Sequence, residues 1–314
     1  MPEGDTIYRT ARALQKALGG RVVTAFETGL AKLAAANDES SVVGRTVERV
    51  EARGKWCLIF FSGDLILVTH MLMSGSWHIY RVGEKWQLPR RMMRVVVRVA
   101  LTSVPQGLKP FAGDVASGTA EAVPLRGASA AGEFEAVLFN AQVAEFYTAR
   151  SLERSSQVPK LGPDVLSGGF SVEAGVKALQ ARAASHPEDE VGVVLMNQRV
   201  MAGLGNVYKS EVAFAAGVNP FRKMKTLTER EMRVMVEFAE RYMKANVMDG
   251  ARDGVVTYKG PRRTTGAMKE SDRLWVYRRA GKECRRCGAE VTMRKQGVQA
   301  RSTYWCAGCQ VLGA

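Results

Sequence analysis

The chain has 314 residues, 46% of them hydrophobic, enough to bury sizeable cores in two or three domains and to exclude global disorder. No run approaches the roughly twenty consecutive apolar residues of a membrane span, and the opening MPEGDTIYRT lacks the basic start of a secretory signal. A cytoplasmic chain without membrane attachment is therefore expected, and its formal charge of +14 suits a polyanionic partner.

The first predicted element is a helix over residues 6–18, where Ile7 and Leu14 can share a core face. From 22 to 99 the texture turns to short β-rich runs broken by glycine, clearest in WCLIFF, LILVTHMLM, SWHIYRV and MMRVVVRVA. FFSGDLIL predicts a hairpin turn between two of these strands. Residues 81–98 add six basic residues against Glu84 alone, with Trp77 and Trp86 near them. Residues 103–131, rich in Ala, Gly, Ser and Pro, predict a loop-rich insertion, after which EAVLFN and AEFYTA resume the strand pattern. Turn formers cluster in SSQVPKLGPDVLSGG and mark a boundary. Helical spacing follows over 171–184, 188–202, 207–217 and 227–247. Residues 249–270 read as a further flexible stretch, within a window, 252–286, that carries a local charge of +7.

Within the helical half, LMNQRVMAGLGNVYKSEV predicts a helix ended by Gly203, a tight turn through Gly205 and a second helix from about Val207, with Asn206 as its N-cap. Free amides at such a helix start can hold an anion, and Lys209 adds positive charge beside them. This describes a phosphate clamp that reads no sequence; a capped helix pair without a ligand is the plainer alternative. Glu211 fits the dipole of the same helix start.

Five cysteines complete the inventory. Cys57, inside WCLIFF, is expected to be a small buried hydrophobe. The other four follow the pattern Cys284-x2-Cys287-x18-Cys306-x2-Cys309, in which each Cys-x2-Cys pair can place both sulfurs on one tetrahedral zinc ion. Two disulfides are the alternative, disfavoured in a reducing compartment. Four cysteines close the coordination shell, so the zinc is structural, and metal binding supplies most of the folding free energy of so small a module. Arg285, Arg286, Lys295 and Arg301 surround the ligands and point to nucleic acid. The Arg301 fork suits a phosphate, although spacing alone allows a solvated arginine.

Taken together, MPEG, RGKWCLIFF, THMLMSGSWHIY, LGPDVL, NQRVMAGLGNVYKSE, VYRRAGKECRRCG and RSTYWCAGCQ resemble, in order and over nearly the whole chain, the formamidopyrimidine-DNA glycosylase/endonuclease VIII family. That resemblance implies a multi-domain α+β protein. An N-terminal β-sandwich with flanking helices (1–150) is joined to a helix–two-turn–helix domain (151–270) and a C-terminal four-cysteine zinc finger (271–314). It implies a monomer that binds damaged DNA across the cleft, removes bases and cleaves the strand by β,δ-elimination. Methionine is removed in the family, and Pro2 becomes the amine that attacks C1′. Glu3 carries over as the adjacent proton carrier, and Lys55 as the hairpin lysine that stabilises a phosphate and assists opening of the sugar. Asn206 and Arg301 correspond to the groups that pin the phosphates of the damaged strand, with Lys209 as a supporting contact. Met73, with Leu72 beside it, matches the loop that fills the gap left by a flipped base.

Two departures are visible. The family commonly carries glutamate where this chain has Thr6, and the arginine-bearing loop of the formamidopyrimidine branch is replaced by LFNAQVAEF. The chain therefore looks closer to the endonuclease VIII branch, whose substrates are oxidised pyrimidines. A non-catalytic protein of the same fold that binds damaged or structured DNA is the principal alternative. A zinc-dependent nuclease finds no support, since His70, His78 and His186 form no metal motif.

Overall fold

A computed structural model describes residues 2–100, 133–156, 158, 160–248, 262–267 and 269–312. The predicted insertion at 103–131 falls outside these residues, as does the 249–261 part of the predicted flexible stretch.

The chain opens with helix α1 (Gly4–Leu18). Its buried Ile7, Ala11, Leu14 and Leu18 recur at three- and four-residue spacing and form one apolar stripe. Strand β1 (Val22–Thr28) and helix α2 (Ala31–Glu39) follow, then β2 (Val47–Arg53), β3 (Trp56–Phe61), β4 (Leu65–His70), β5 (Ser76–Arg81), β6 (Met93–Ala100), β7 (Phe134–Phe139) and β8 (Val143–Tyr147). They pair antiparallel into two four-stranded sheets, ordered β1-β6-β7-β5 and β2-β3-β4-β8. Cys57, Ile59 and Phe61 from one sheet meet Val95, Val97 and Val99 from the other, with Leu14 of α1 and Leu33 of α2 in the same core. This is the expected sandwich with flanking helices.

The unbroken apolar run WCLIFF has a direct explanation: β3 is buried on both faces. Its alternate residues Leu58 and Phe60 join Ile66, Val68 and Tyr147 in a second cluster on the outer face. The β3–β4 hairpin turns where FFSGDLIL predicts it, with Gly63 and Asp64 both at positive φ. Helix α2 was not expected from the sequence. AKLAAANDE offers a single buried residue, Leu33, and so shows no helical period.

Beyond the sandwich come α3 (Ala149–Glu153), α4 (Val172–Ser185), α5 (Val191–Val194), α6 (Asn206–Ala215) and α7 (Glu229–Met248). α4, α6 and α7 enclose a core of Val176, Leu179, Val212, Met235, Val236 and Met243. The helix predicted over 188–202 shrinks to α5. Side chains in LMNQR take over the backbone partners a longer helix would use. Gln198 Nε2 donates to the Met196 and Leu204 carbonyls at 2.8 and 2.9 Å, its Oε1 accepts from Gly203 N at 3.0 Å, and Asn197 Oδ1 accepts from Arg199 N at 3.0 Å.

The chain ends in a hairpin, β9 (Val291–Gln296) with β10 (Arg301–Cys306), and the cysteine module around it packs against Phe214 of α6. Buried polar groups join this finger to the helices. Glu211 accepts hydrogen bonds from Trp275 N, Val276 N and Tyr277 N at 2.8, 2.9 and 2.8 Å and from Thr264 Oγ1. It is thus a bracket across the junction, not the dipole partner expected of it, and burial raises its pKa. Asn219 Nδ2 donates to the Gln310 carbonyl and Gln310 Nε2 to the Val218 carbonyl, both at 2.7 Å.

Candidate active site and nucleic-acid interface

Pro2 and Glu3 are buried, and Glu3 starts two helices at once. Its carbonyl accepts from Thr6 N and Ile7 N at 2.9 and 3.1 Å, opening α1. Its carboxylate accepts from Val207 N at 2.8 Å and Tyr208 N at 3.4 Å, in the first turn of α6. The anion held by these amides is therefore the protein's own Glu3, where the sequence had suggested phosphate. Gly205, not Asn206, is the N-cap of α6. A Cβ at Gly205 would lie 2.4 Å from Glu3 Cδ, so only glycine lets this carboxylate approach. Gly4 is equally constrained: its N–H donates to the Gly203 carbonyl at 2.8 Å, and a Cβ there would lie 2.7 Å from Gly203 Cα.

Lys55 sits half-buried at the start of β3, in a turn whose Gly54 N donates to Asp164 Oδ2 at 2.6 Å. Burial lowers its pKa, the charges of Arg301 and Arg262 lower it further, and Glu3 opposes them. These interactions place Lys55, Glu3, Arg301 and Arg262 in one electrostatic neighbourhood. His70, at the end of β4, packs edge-on against Trp56, with centroids 4.7 Å apart. Burial and then the Lys55 charge bring its pKa down to about 4, so at neutral pH Nδ1 is a free acceptor for Leu72 N at 3.0 Å. That bond helps hold Leu72 at a φ of 49° in the loop after β4. Leu72 and Met73, the residues expected to form an apolar wedge, stand 38% and 58% exposed there, while Met71 is buried.

On the finger side Arg301 opens β10, half-exposed, with its Nε donating to Gln299 Oε1 at 3.1 Å. Asn206 lies beside it: Nδ2 donates to the Ser302 carbonyl at 2.9 Å, and the buried Oδ1 has no partner. Lys209, expected as a DNA contact, is buried. Its Nζ donates to Thr303 Oγ1 at 2.6 Å, and burial brings its pKa to about 8. Its charge reaches the site as a field and its side chain as an internal strut.

The four cysteine sulfurs all lie within 4.8 Å of one another, with Cys284–Cys309 at 3.8 Å and Cys287–Cys306 at 3.5 Å. Such separations are far longer than a disulfide and match a tetrahedron of Zn–S bonds of about 2.3 Å, whose edges are about 3.8 Å. The donor set fits a structural zinc ion.

Three features escaped sequence reasoning: the Glu211 bracket, the His70–Leu72 bond, and a buried ion pair between Asp5 and Arg262. Each depends on a bond between particular side chains or amides that the motifs around them do not disclose.

Residues 1–107 match the formamidopyrimidine-DNA glycosylase N-terminal domain and residues 161–256 the formamidopyrimidine-DNA glycosylase H2TH domain. The chain is 33% identical over 313 residues to a probable endonuclease 8 2 of Streptomyces coelicolor, covering 99% of this chain and 94% of that protein. It is 30% identical to the DNA-(apurinic or apyrimidinic site) lyase Nei2 of Mycolicibacterium smegmatis, covering 99% of each. Its fold is similar to that of the Lactococcus lactis Fpg protein in complex with THF-DNA and an inhibitor. The TM-score is 0.72 at 18% identity, over 99% of this chain and 100% of that one. Domain order, site geometry and full-length similarity agree: the chain belongs to the formamidopyrimidine-DNA glycosylase/endonuclease VIII family.

Proposed function

We propose that this protein is a bifunctional DNA glycosylase/AP lyase that excises oxidised bases, chiefly pyrimidines, using the amine of Pro2. The observation that carries the reading is the convergence of four distant segments. Glu3 is pinned beside Pro2 by the start of α6, with Lys55 from the β2–β3 turn and Arg301 from β10 in the same electrostatic neighbourhood.

The chemistry follows from these groups. With methionine removed, the Pro2 nitrogen attacks C1′ and becomes an ammonium; the glycosidic bond breaks and its electron pair leaves with the base, which takes up the proton the new ammonium sheds, so the nitrogen regains its lone pair. The C1′–O4′ pair then moves to O4′, Glu3 delivers the proton there, and the nitrogen lone pair completes an iminium. Lys55 and Arg301 hold the flanking phosphates. The iminium acidifies C2′, and loss of that proton expels the 3′ phosphate; loss of the C4′ proton then expels the 5′ phosphate. Water hydrolyses the remaining iminium and returns Pro2. Asn206 joins Arg301 in holding the damaged strand, Met73 and Leu72 fill the vacated stack, and Lys209 supports the finger from inside. The pyrimidine preference is supported by the endonuclease 8 names of relatives and by the lack of an arginine in LFNAQVAEF. All these groups come from one chain, which supports a monomer as the acting unit, working on chromosomal DNA in the cytoplasm.

Borohydride trapping tests the reading. The protein should form a reduced covalent adduct with DNA carrying an oxidised pyrimidine or an abasic site, attached at Pro2. Retaining Met1 should reduce trapping to background. An adduct mapped to another residue, or full activity with Met1 in place, overturns it. Glu3→Gln should lower base excision by about 10²–10⁴-fold while changing affinity for abasic DNA far less.

A further inference from the structure

Directly behind Glu3 lies a buried charged pair that the reaction as described does not use. Arg262 Nε donates to Asp5 Oδ2 at 2.8 Å and its Nη2 to Asp5 Oδ1 at 2.6 Å, a two-pronged fork. The same Nη2 donates to Thr6 Oγ1 at 3.1 Å. Asp5 is fully buried and the Arg262 side chain is 11% exposed. The guanidinium also sits over the Tyr208 ring, 5.3 Å from its centroid.

This placement is specific. Asp5 and Thr6 belong to the first turn of α1, immediately after Pro2 and Glu3. Tyr208 belongs to the first turn of α6, and its N–H is one of the two amides that hold the Glu3 carboxylate. One guanidinium therefore touches both pieces between which Glu3 is suspended. A buried ion pair is a weak source of stability, because desolvating both charges offsets most of their attraction. Its geometry calls for another role.

We propose that the Arg262–Asp5 pair is a positioning device for the reaction centre, clamping the first turn of α1 to the first turn of α6 and setting where Pro2 and Glu3 meet the sugar. The inference rests on the reading of Pro2 and Glu3 as reacting groups. Arg262 is a positioning residue and touches no reacting atom. Its charge also acts on Lys55, which is faced by Glu3 ahead of α1, Arg301 on β10, His70 on β4 and Arg262 itself. Removing the Arg262 charge should therefore let the Lys55 pKa rise.

Four variants test the clamp: R262Q, R262K, D5N and the double variant D5N/R262Q. Each is measured for single-turnover borohydride trapping on abasic DNA, affinity for DNA with a tetrahydrofuran abasic analogue, and urea unfolding. R262Q and D5N should each slow trapping by about 10–100-fold through misplacement of the amine, with affinity changed less than about threefold. The alkaline limb of the rate profile should move to higher pH in R262Q and stay in place in R262K, which keeps the charge. The double variant leaves no uncompensated buried charge, so it should regain urea stability while trapping stays slow. A double variant that regains its rate together with its stability overturns the proposal, as does R262Q or D5N trapping at the parent rate. Failure of the parent protein to trap any abasic DNA overturns the proposed reaction instead, so the two failures are distinct.

Discussion

In the core of the sandwich and its flanking helices the fully buried side chains include Leu14, Leu18, Ile59, Leu67 and Val97; between α6 and the finger they include Glu211, Thr303 and Gln310, with Lys209 almost as deep. The first set is interchangeable in kind. Hydrophobic burial is non-directional, so any well-packed set of similar volume holds two sheets together. The second set is directional, because each group is satisfied only by particular partners: three amides for Glu211, Thr303 for Lys209, two carbonyl contacts through Gln310. The contrast teaches what each region is for. Bulk cohesion suffices in the sandwich, whereas the proposed function needs the finger at a fixed angle to α6, with Asn206 beside Arg301. The proposed reaction centre lies on the seam between the two regimes, and Glu3 spans it.

Zinc removal should separate the regions most sharply. Structural zinc binding is worth about 10–16 kcal/mol in finger peptides, so chelation should open residues 284–309 to hydrogen exchange and abolish tight DNA binding. Exchange in β3 and β6 should be unchanged; coincident loss of protection there would erase the contrast. Leu14→Ala should cost about 2–5 kcal/mol in global urea unfolding, and finger amides should keep their protection relative to the helical core. Glu211→Gln should cost about 1.5–3 kcal/mol, read as faster exchange confined to the finger and the residues from 262 onward. A global loss of the same size would mean that the junction and the sandwich unfold as one unit. The last test concerns Lys209. Burial brings its pKa from 10.5 in the unfolded chain to about 8, so between these values the unfolded state binds the extra proton. Stability of the junction should therefore rise with pH across that window, by a slope of at most one proton, and Lys209→Met should flatten it. An unchanged slope would assign the proton elsewhere.

Much of this was legible in the sequence where one segment carried its own pattern. The Cys-x2-Cys pairs announced a metal site, FFSGDLIL announced its hairpin, and MMRVVVRVA announced a strand. What stayed hidden depended on partners distant in the chain. Asn206 reads as an N-cap because nothing local reveals that Glu3, two hundred residues earlier, takes that place. Lys209 reads as a surface cation because helical spacing does not disclose the hydroxyl of Thr303 above it. The helix over 188–202 failed for a local reason: side-chain amides of Asn197 and Gln198 competed for the backbone.

The tight seat of Gly4 against Gly203 has a practical bearing on how this chain can be lengthened. An affinity tag or fused partner at the amino end would acylate the nitrogen that the proposed reaction needs bare, two residues ahead of a position that cannot admit even one methyl group. Val311 and Leu312 at the opposite end are open to solvent, so additions belong there.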